Sequence, residues 1–247
     1  MGLDDIKNFL KAKKGEEKVK RKQAARFEER IGEKLSSLEE EISVCKTREL
    51  LYRKILERYS EVIGLGEEKT IPELKALVNS GDASVVETKQ KLLGELQMQR
   101  GPEFAYAFER DFLDYAGKAF EFAAILRAIH ANLSFSYWLS PKEIVDLGAA
   151  DAFDKAIFLC SLLKAGGCEN ARVRVVELEG GLKHAIVVFE FASMFYVFDS
   201  SSKEPNARLS APNADDALKE FCCDGKKVTR SLYEFNDSDY NEFGEEE

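Results

Sequence analysis

After residue 170 the spacing of apolar residues in this 247-residue chain changes period, and that change limits the folds open to it. Upstream, apolar residues recur every three or four positions, the spacing of one helix face. Downstream, Arg172-Val173-Arg174-Val175-Val176, Ala185-Ile186-Val187-Val188-Phe189 and Phe195-Tyr196-Val197-Phe198 read as strands, and Lys227 to Tyr233 adds another. Helices followed by consecutive short strands predict an α+β fold, with helices packed on an antiparallel sheet.

The helical part has its own divisions. From Glu16 to Ile63 there is no proline, and Phe27, Ile31, Leu35, Leu38, Ile42 and Cys45 form one stripe, continued on a rotated face by Leu51, Ile55, Tyr59 and Val62. That pattern predicts a long helix, suited to a coiled coil or to lying along a following domain. Ile71 to Val78 and Ser84 to Gln99 are shorter helices, and Phe104, Phe108, Phe112, Tyr115, Phe120 and Ile125 mark an aromatic helical core. Asp151 to Ala165 is a further helix, closed by Gly166-Gly167. The expected organisation is a helical, partly coiled-coil accessory region over 1–100, the α+β domain over 101–240 and an acidic tail over 241–247.

Charge narrows the partners. The chain has 36 Lys+Arg against 45 Asp+Glu, a net of −9, which argues against general polyanion binding. The basic cluster Lys11, Lys13, Lys14, Lys18, Lys20, Arg21 and Lys22 contains no aromatic residue to stack a base. It reads as a solvated helix face, not as a nucleic-acid surface. No apolar run approaches the ~18 residues of a membrane span, and the first residues lack the apolar core of a signal peptide. Five cysteines, Cys45, Cys160, Cys168, Cys222 and Cys223, without CxxC spacing, fit a reduced cytoplasmic chain with no disulfide, metal or cofactor expected. A protein or peptide partner, or self-association through the helical arm, is the expected use of its surface.

The chemistry concentrates late in the chain. His130 ends an aromatic helix and reads as a packed or surface residue. His184 opens the longest apolar strand, and Asp199 ends the next. A two-residue link between those strands puts both side chains on one face, opposite or one diagonal apart. A His beside an Asp supplies the base and orienting acid of a nucleophilic triad. The nucleophile belongs at a helix N-terminus, where the helix dipole favours a thiolate. The helix before the sheet opens Asp151-Ala152-Phe153-Asp154-Lys155.

This order resembles the transglutaminase-like branch of the papain-like cysteine hydrolases, in which Trp-x-Ser-Pro precedes Gly-Asp-Cys at a helix start, a strand with His and a strand ending in Asp. Trp138-Leu139-Ser140-Pro141, Asp151-Ala152, His184-Ala185 and Asp199-Ser200 follow in that order over roughly residues 103–205. The resemblance implies a transglutaminase-like domain with His184 as base, Asp199 as orienting acid, and Trp138 and Asp151 in support. The nucleophile position holds Ala152, Ala150 replaces the usual glycine, and Ile186 the usual aromatic. An alanine methyl has no lone pair with which to attack a carbonyl. Cys160 lies about 12 Å further along the same helix, at about 1.5 Å per residue. Cys168 falls beyond the helix end, and no other cysteine is expected to stand in. Two readings follow. One is a binding or scaffold pseudoenzyme. The other is a cysteine protease, amidase or transglutaminase with a Cys–His–Asp mechanism, inactivated by an engineered Cys-to-Ala change at position 152. The departures at Ala150 and Ile186 side with the first.

Overall fold

The computed structural model describes residues 30–57, 70–129, 138–202 and 207–244. The basic cluster between Lys11 and Lys22, and Phe27, Tyr59, Val62 and His130, lie outside the described residues. The chain divides into two compact units, Met1–Leu51 and Tyr52–Glu247. Residues 30–57 are helical (α1). Ile31, Leu35, Leu38 and Ile42, the described beginning of the expected stripe, are 42 to 54 % exposed, so they are not core residues.

In the larger unit the helix ends follow their sequence signals. α2 (Ile71–Leu77) starts at Thr70, whose N–H and hydroxyl both donate to Glu73. α3 (Ala83–Arg100) is capped by Asp82, which accepts from the Ser84 N–H at 2.8 Å. α4 (Phe108–Ile125) leads into β1 (Arg127–Ala128). α5 (Pro141–Leu147) opens with a Ser140–Glu143 capping box and Pro141, and it stops at Gly148, whose φ of 59° and ψ of 25° suit a residue without Cβ. β2 (Ala149–Ala150) pairs in parallel with β1, and α6 (Ala152–Ala165) follows. α3 packs against α4, α5 and α6.

The rest of the chain builds the sheet. β3 (Arg172–Leu178), β4 (Leu182–Phe191), β5 (Met194–Phe198) and β6 (Arg208–Ala211) are followed by α7 (Ala214–Glu220), β7 (Cys222–Cys223), β8 (Lys226–Phe235) and β9 (Tyr240–Glu242). The strand order is β6-β5-β4-β3-β8-β7, with β9 also on β8, and every pair is antiparallel. The α+β class expected from the change of period is the class observed.

Both faces of the sheet are covered. On β4 the odd positions meet the helices: the Phe189 ring stands 5.6 Å from that of Phe112, and the Phe191 ring 5.4 Å from that of Phe108. α4 in turn packs on α6. The even positions Ile186 and Val188 join Val176, Leu178, Phe195, Val197, Phe221 and Cys223 in a second core, with Ala217 of α7. β4 is therefore buried on both sides from His184 to Phe189, which explains its unbroken apolar run.

The acidic C-terminal segment is not solvated throughout. Glu234 is buried, with Oε2 2.9 Å from Arg174 Nε and 2.5 Å from Nη2. Residues 240–242 are β9, paired with β8, so the expected tail over 241–247 begins inside a strand. Composition signalled charge but not its partner across the sheet.

The α4–α6 contact makes a test of the packing. The buried Tyr115 hydroxyl donates to the Leu162 carbonyl at 2.8 Å, which holds the ring against Gly166. A Cβ at Gly166 would lie 2.3 Å from Tyr115 Cε1. Gly166→Ala is expected to lower the unfolding free energy by about 1–3 kcal/mol in urea denaturation. In the double variant with Tyr115→Leu the two costs should be less than additive, since they share one contact. Independent, additive costs would refute this account of the contact.

Candidate functional site

The residues singled out from the sequence gather in two places. The first is the start of α6. Asp151 caps the helix by accepting from the Asp154 N–H at 2.8 Å, and Ala152 is the first helical residue, half-buried. The buried Asp154 carboxylate accepts from the Leu139 N–H at 3.1 Å, which ties the Trp138-Leu139-Ser140 segment to the helix. Trp138 stands edge-on to Phe153, with ring centroids 5.7 Å apart. Buried Lys155 donates to the Leu126 carbonyl at 2.6 Å. Trp138, Asp151 and Ala152 thus share one helix end, and the position expected for a nucleophile carries a methyl group.

The second place is the sheet face under α7. The β4–β5 turn is Ala192-Ser193, with φ of 49° and 62°, the left-handed pair of a two-residue hairpin. Its register sets Val187 opposite Phe198. One step further puts Asp199 opposite Ile186 and one diagonal from His184, on the face of Ile186 and Val188. His184 Nε2 lies 3.0 Å from Asp199 Oδ2, and both residues are buried. Asp199 Oδ1 accepts from the Ser201 N–H at 3.0 Å and its hydroxyl at 2.6 Å. Burial works to raise the Asp199 carboxyl, but the hydrogen bond and charge of His184, with the two bonds from Ser201, outweigh it. The carboxyl is held below its ordinary value. The imidazole stacks on Phe221, with centroids 6.2 Å apart and planes 24° from parallel.

A third residue joins this pair. The Cys223 sulfur, one His184 ring nitrogen and one Asp199 carboxylate oxygen all lie within 4.8 Å of one another. Cys223 was not among the residues expected at this site. Cys223 arrives by β7, which turns into β8 at Asp224-Gly225, with φ of 50° and 74°. The Asp-Gly dipeptide was a readable hairpin signal. Its return to His184, 39 positions away in sequence, depends on how the sheet curls and on α7, which no local pattern encodes. Two other thiols are held protonated: burial pushes Cys168 up to about 12, and the fully buried Cys160 higher still.

No protein family model matches this sequence, and no curated protein does. Among solved structures, LapG of Legionella pneumophila is similar, at 20 % identity and a TM-score of 0.38 over 63 % of this chain and 86 % of that one. Its calcium-bound and EGTA-treated structures both give 19 % identity and a TM-score of 0.39, the first over 63 % of this chain and the second over 64 %. Among the described residues, no helix is long and apolar enough to cross a membrane.

The Asp199 carboxyl titrates lower in the folded chain than when unfolded, so its stabilising contribution is present above the ordinary carboxylate pKa. It is lost as pH falls through the lower folded value. Asp199→Asn is expected to flatten the acid side of the stability profile between about pH 5 and pH 2, and to cost about 2–4 kcal/mol at neutral pH. Urea midpoints measured across that range check this. An unchanged acid slope in the variant would place the pH dependence elsewhere.

Proposed function

We propose that this chain carries a transglutaminase-like domain that lacks its thiol nucleophile and works as a binding protein for a protein or peptide partner. The observation that supports this reading is the separation of parts. The base and orienting acid are bonded, with His184 Nε2 3.0 Å from Asp199 Oδ2, while the capped helix end suited to a thiolate carries Ala152. Acyl transfer through a covalent thioester needs a sulfur at that place, and an alanine cannot form one. Hydrogen bonding and apolar contact remain, which are the means of binding without turnover.

Restoring the sulfur tests the assignment. Ala152→Cys, labelled with iodoacetamide in the presence of EDTA, is expected to alkylate faster at neutral pH than Cys45, because a helix N-terminus lowers a thiol's pKa and the proposed site would add His184 as its base. The advantage should disappear when His184→Ala is added. A new thiol no faster than a small model thiol would mean that Ala152 and His184 do not form one site. The codon at position 152 in the source gene is expected to encode alanine. A cysteine codon there would make the chain an active cysteine hydrolase or acyltransferase carrying a substitution.

The arm supplies the second half of the reading. Ile31, Leu35, Leu38 and Ile42 recur at helical spacing and are exposed, the arrangement through which helices pair. Self-association through this stripe predicts a sedimentation equilibrium mass above that of the monomer, falling to the monomer in Leu35→Lys/Leu38→Lys. A wild-type chain that stays monomeric throughout the micromolar range removes the arm from this role.

A further inference from the structure

We propose that His184, Asp199 and Cys223 form a binding site for one divalent transition-metal ion of the zinc class. The inference is separate from the missing nucleophile at Ala152. It starts from convergence. A ring nitrogen, a carboxylate oxygen and a sulfur come from the third residue of β4, the residue after β5 and the last residue of β7, and all lie within 4.8 Å of one another. Nitrogen, oxygen and sulfur together suit a borderline-soft ion with tetrahedral preference and not calcium or magnesium, which take oxygen ligands.

The spacing fits. Ligand bonds of about 2.0–2.2 Å at tetrahedral angles put a nitrogen and an oxygen about 3.3 Å apart. The His184 Nε2 to Asp199 Oδ2 separation is 3.0 Å, so the pair needs to open by only a few tenths of an ångström. The sulfur must close to about 2.3 Å from the ion, a side-chain adjustment within the present 4.8 Å envelope. On binding, the Cys223 thiol gives its proton to solvent and becomes a thiolate. Thiolate and carboxylate then balance the two positive charges of the ion, and the imidazole ligates through an unprotonated nitrogen, any proton there passing to solvent or to the other ring nitrogen.

The surroundings fit as well. Ser201 holds Asp199 Oδ1 through its N–H and hydroxyl, which orients the carboxylate with Oδ2 toward His184. Such outer contacts are the usual support of metal ligands. Phe221, Ile186 and Val176 give the site an apolar wall, in which a compensated ion is favoured over separate buried charges. Three protein ligands leave one position for water or for a ligand atom of a partner.

The test uses the full chain, stripped with EDTA and titrated with cobalt(II). One equivalent is expected to bind, with the visible bands of a four-coordinate ion and a near-ultraviolet sulfur-to-cobalt charge-transfer band. Cys223→Ser should remove that band, whereas Cys222→Ser and Cys45→Ser should keep it. A second measurement needs no variant: one equivalent of zinc should slow iodoacetamide labelling of Cys223 in the wild-type chain by about tenfold, with Cys222 unaffected, as read by peptide mapping. Cobalt bound without a thiolate band, a band that survives Cys223→Ser, or Cys223 labelling indifferent to zinc would each overturn the site. The Ala152→Cys experiment is run in EDTA, so its failure and the failure of this site are read separately.

Discussion

β4 is the strand on which the two cores depend. Its odd positions, Ala185, Val187 and Phe189, face the helices, and its even positions, His184, Ile186 and Val188, face α7. A slip of one residue would exchange the sets, sending the imidazole among the phenylalanines of α4 and Phe189 under α7. The two-residue turn at Ala192-Ser193 holds the register, at a backbone cost of about 1 kcal/mol or more for each non-glycine residue in the left-handed region. The stacked Phe189 and Tyr196 rings, paired across the two strands at 4.9 Å, help to offset it.

That register brings polar groups into an apolar face, and the fold treats two sets of them differently. Arg174 lies two residues from Val176 along β3, pairs with Glu234 through two donors, and has its guanidinium over Phe195 and Phe243 at 5.5 and 4.8 Å. Charge meets opposite charge, the rings shelter the pair, and the arrangement needs nothing further to account for it. The His184 set is built otherwise. Here a ring nitrogen, a carboxylate oxygen and a sulfur converge within 4.8 Å of one another, with Ser201 holding the other carboxylate oxygen through two bonds. Arg174–Glu234 joins one base to one acid, whereas the histidine cluster gathers three different ligand types at one place.

Elements long enough to show a period were legible in the sequence. The helices around Ser84–Gln99 and Asp151–Ala165 and the three strands from 172 to 198 stand within a few residues of their expected places. The pairing of His184 with Asp199 was also legible, because strand alternation and a two-residue link leave little freedom. α7 was not, since seven residues with two adjacent acids display no face. Cys223 was missed for the same reason: its neighbours are local, and its partners come from strands far along the chain. Glu234 illustrates a further limit. From Glu234 to Glu247 the chain has seven acids and no base, a run that looks solvated in composition, yet Glu234 is the buried partner of Arg174.

The buried pair also bears on how much its presence says about chemistry. Removing either His184 or Asp199 would strand a polar group in an apolar wall, a penalty of about 1–3 kcal/mol that stability alone opposes. A His–Asp pair on this strand therefore persists whether or not a thiol attacks anything, and by itself it is weak grounds for catalysis. Thiol chemistry discriminates better. Cys160 and Cys168 are held protonated by burial. Among the described cysteines, Cys223 is the one gathered with His184 and Asp199.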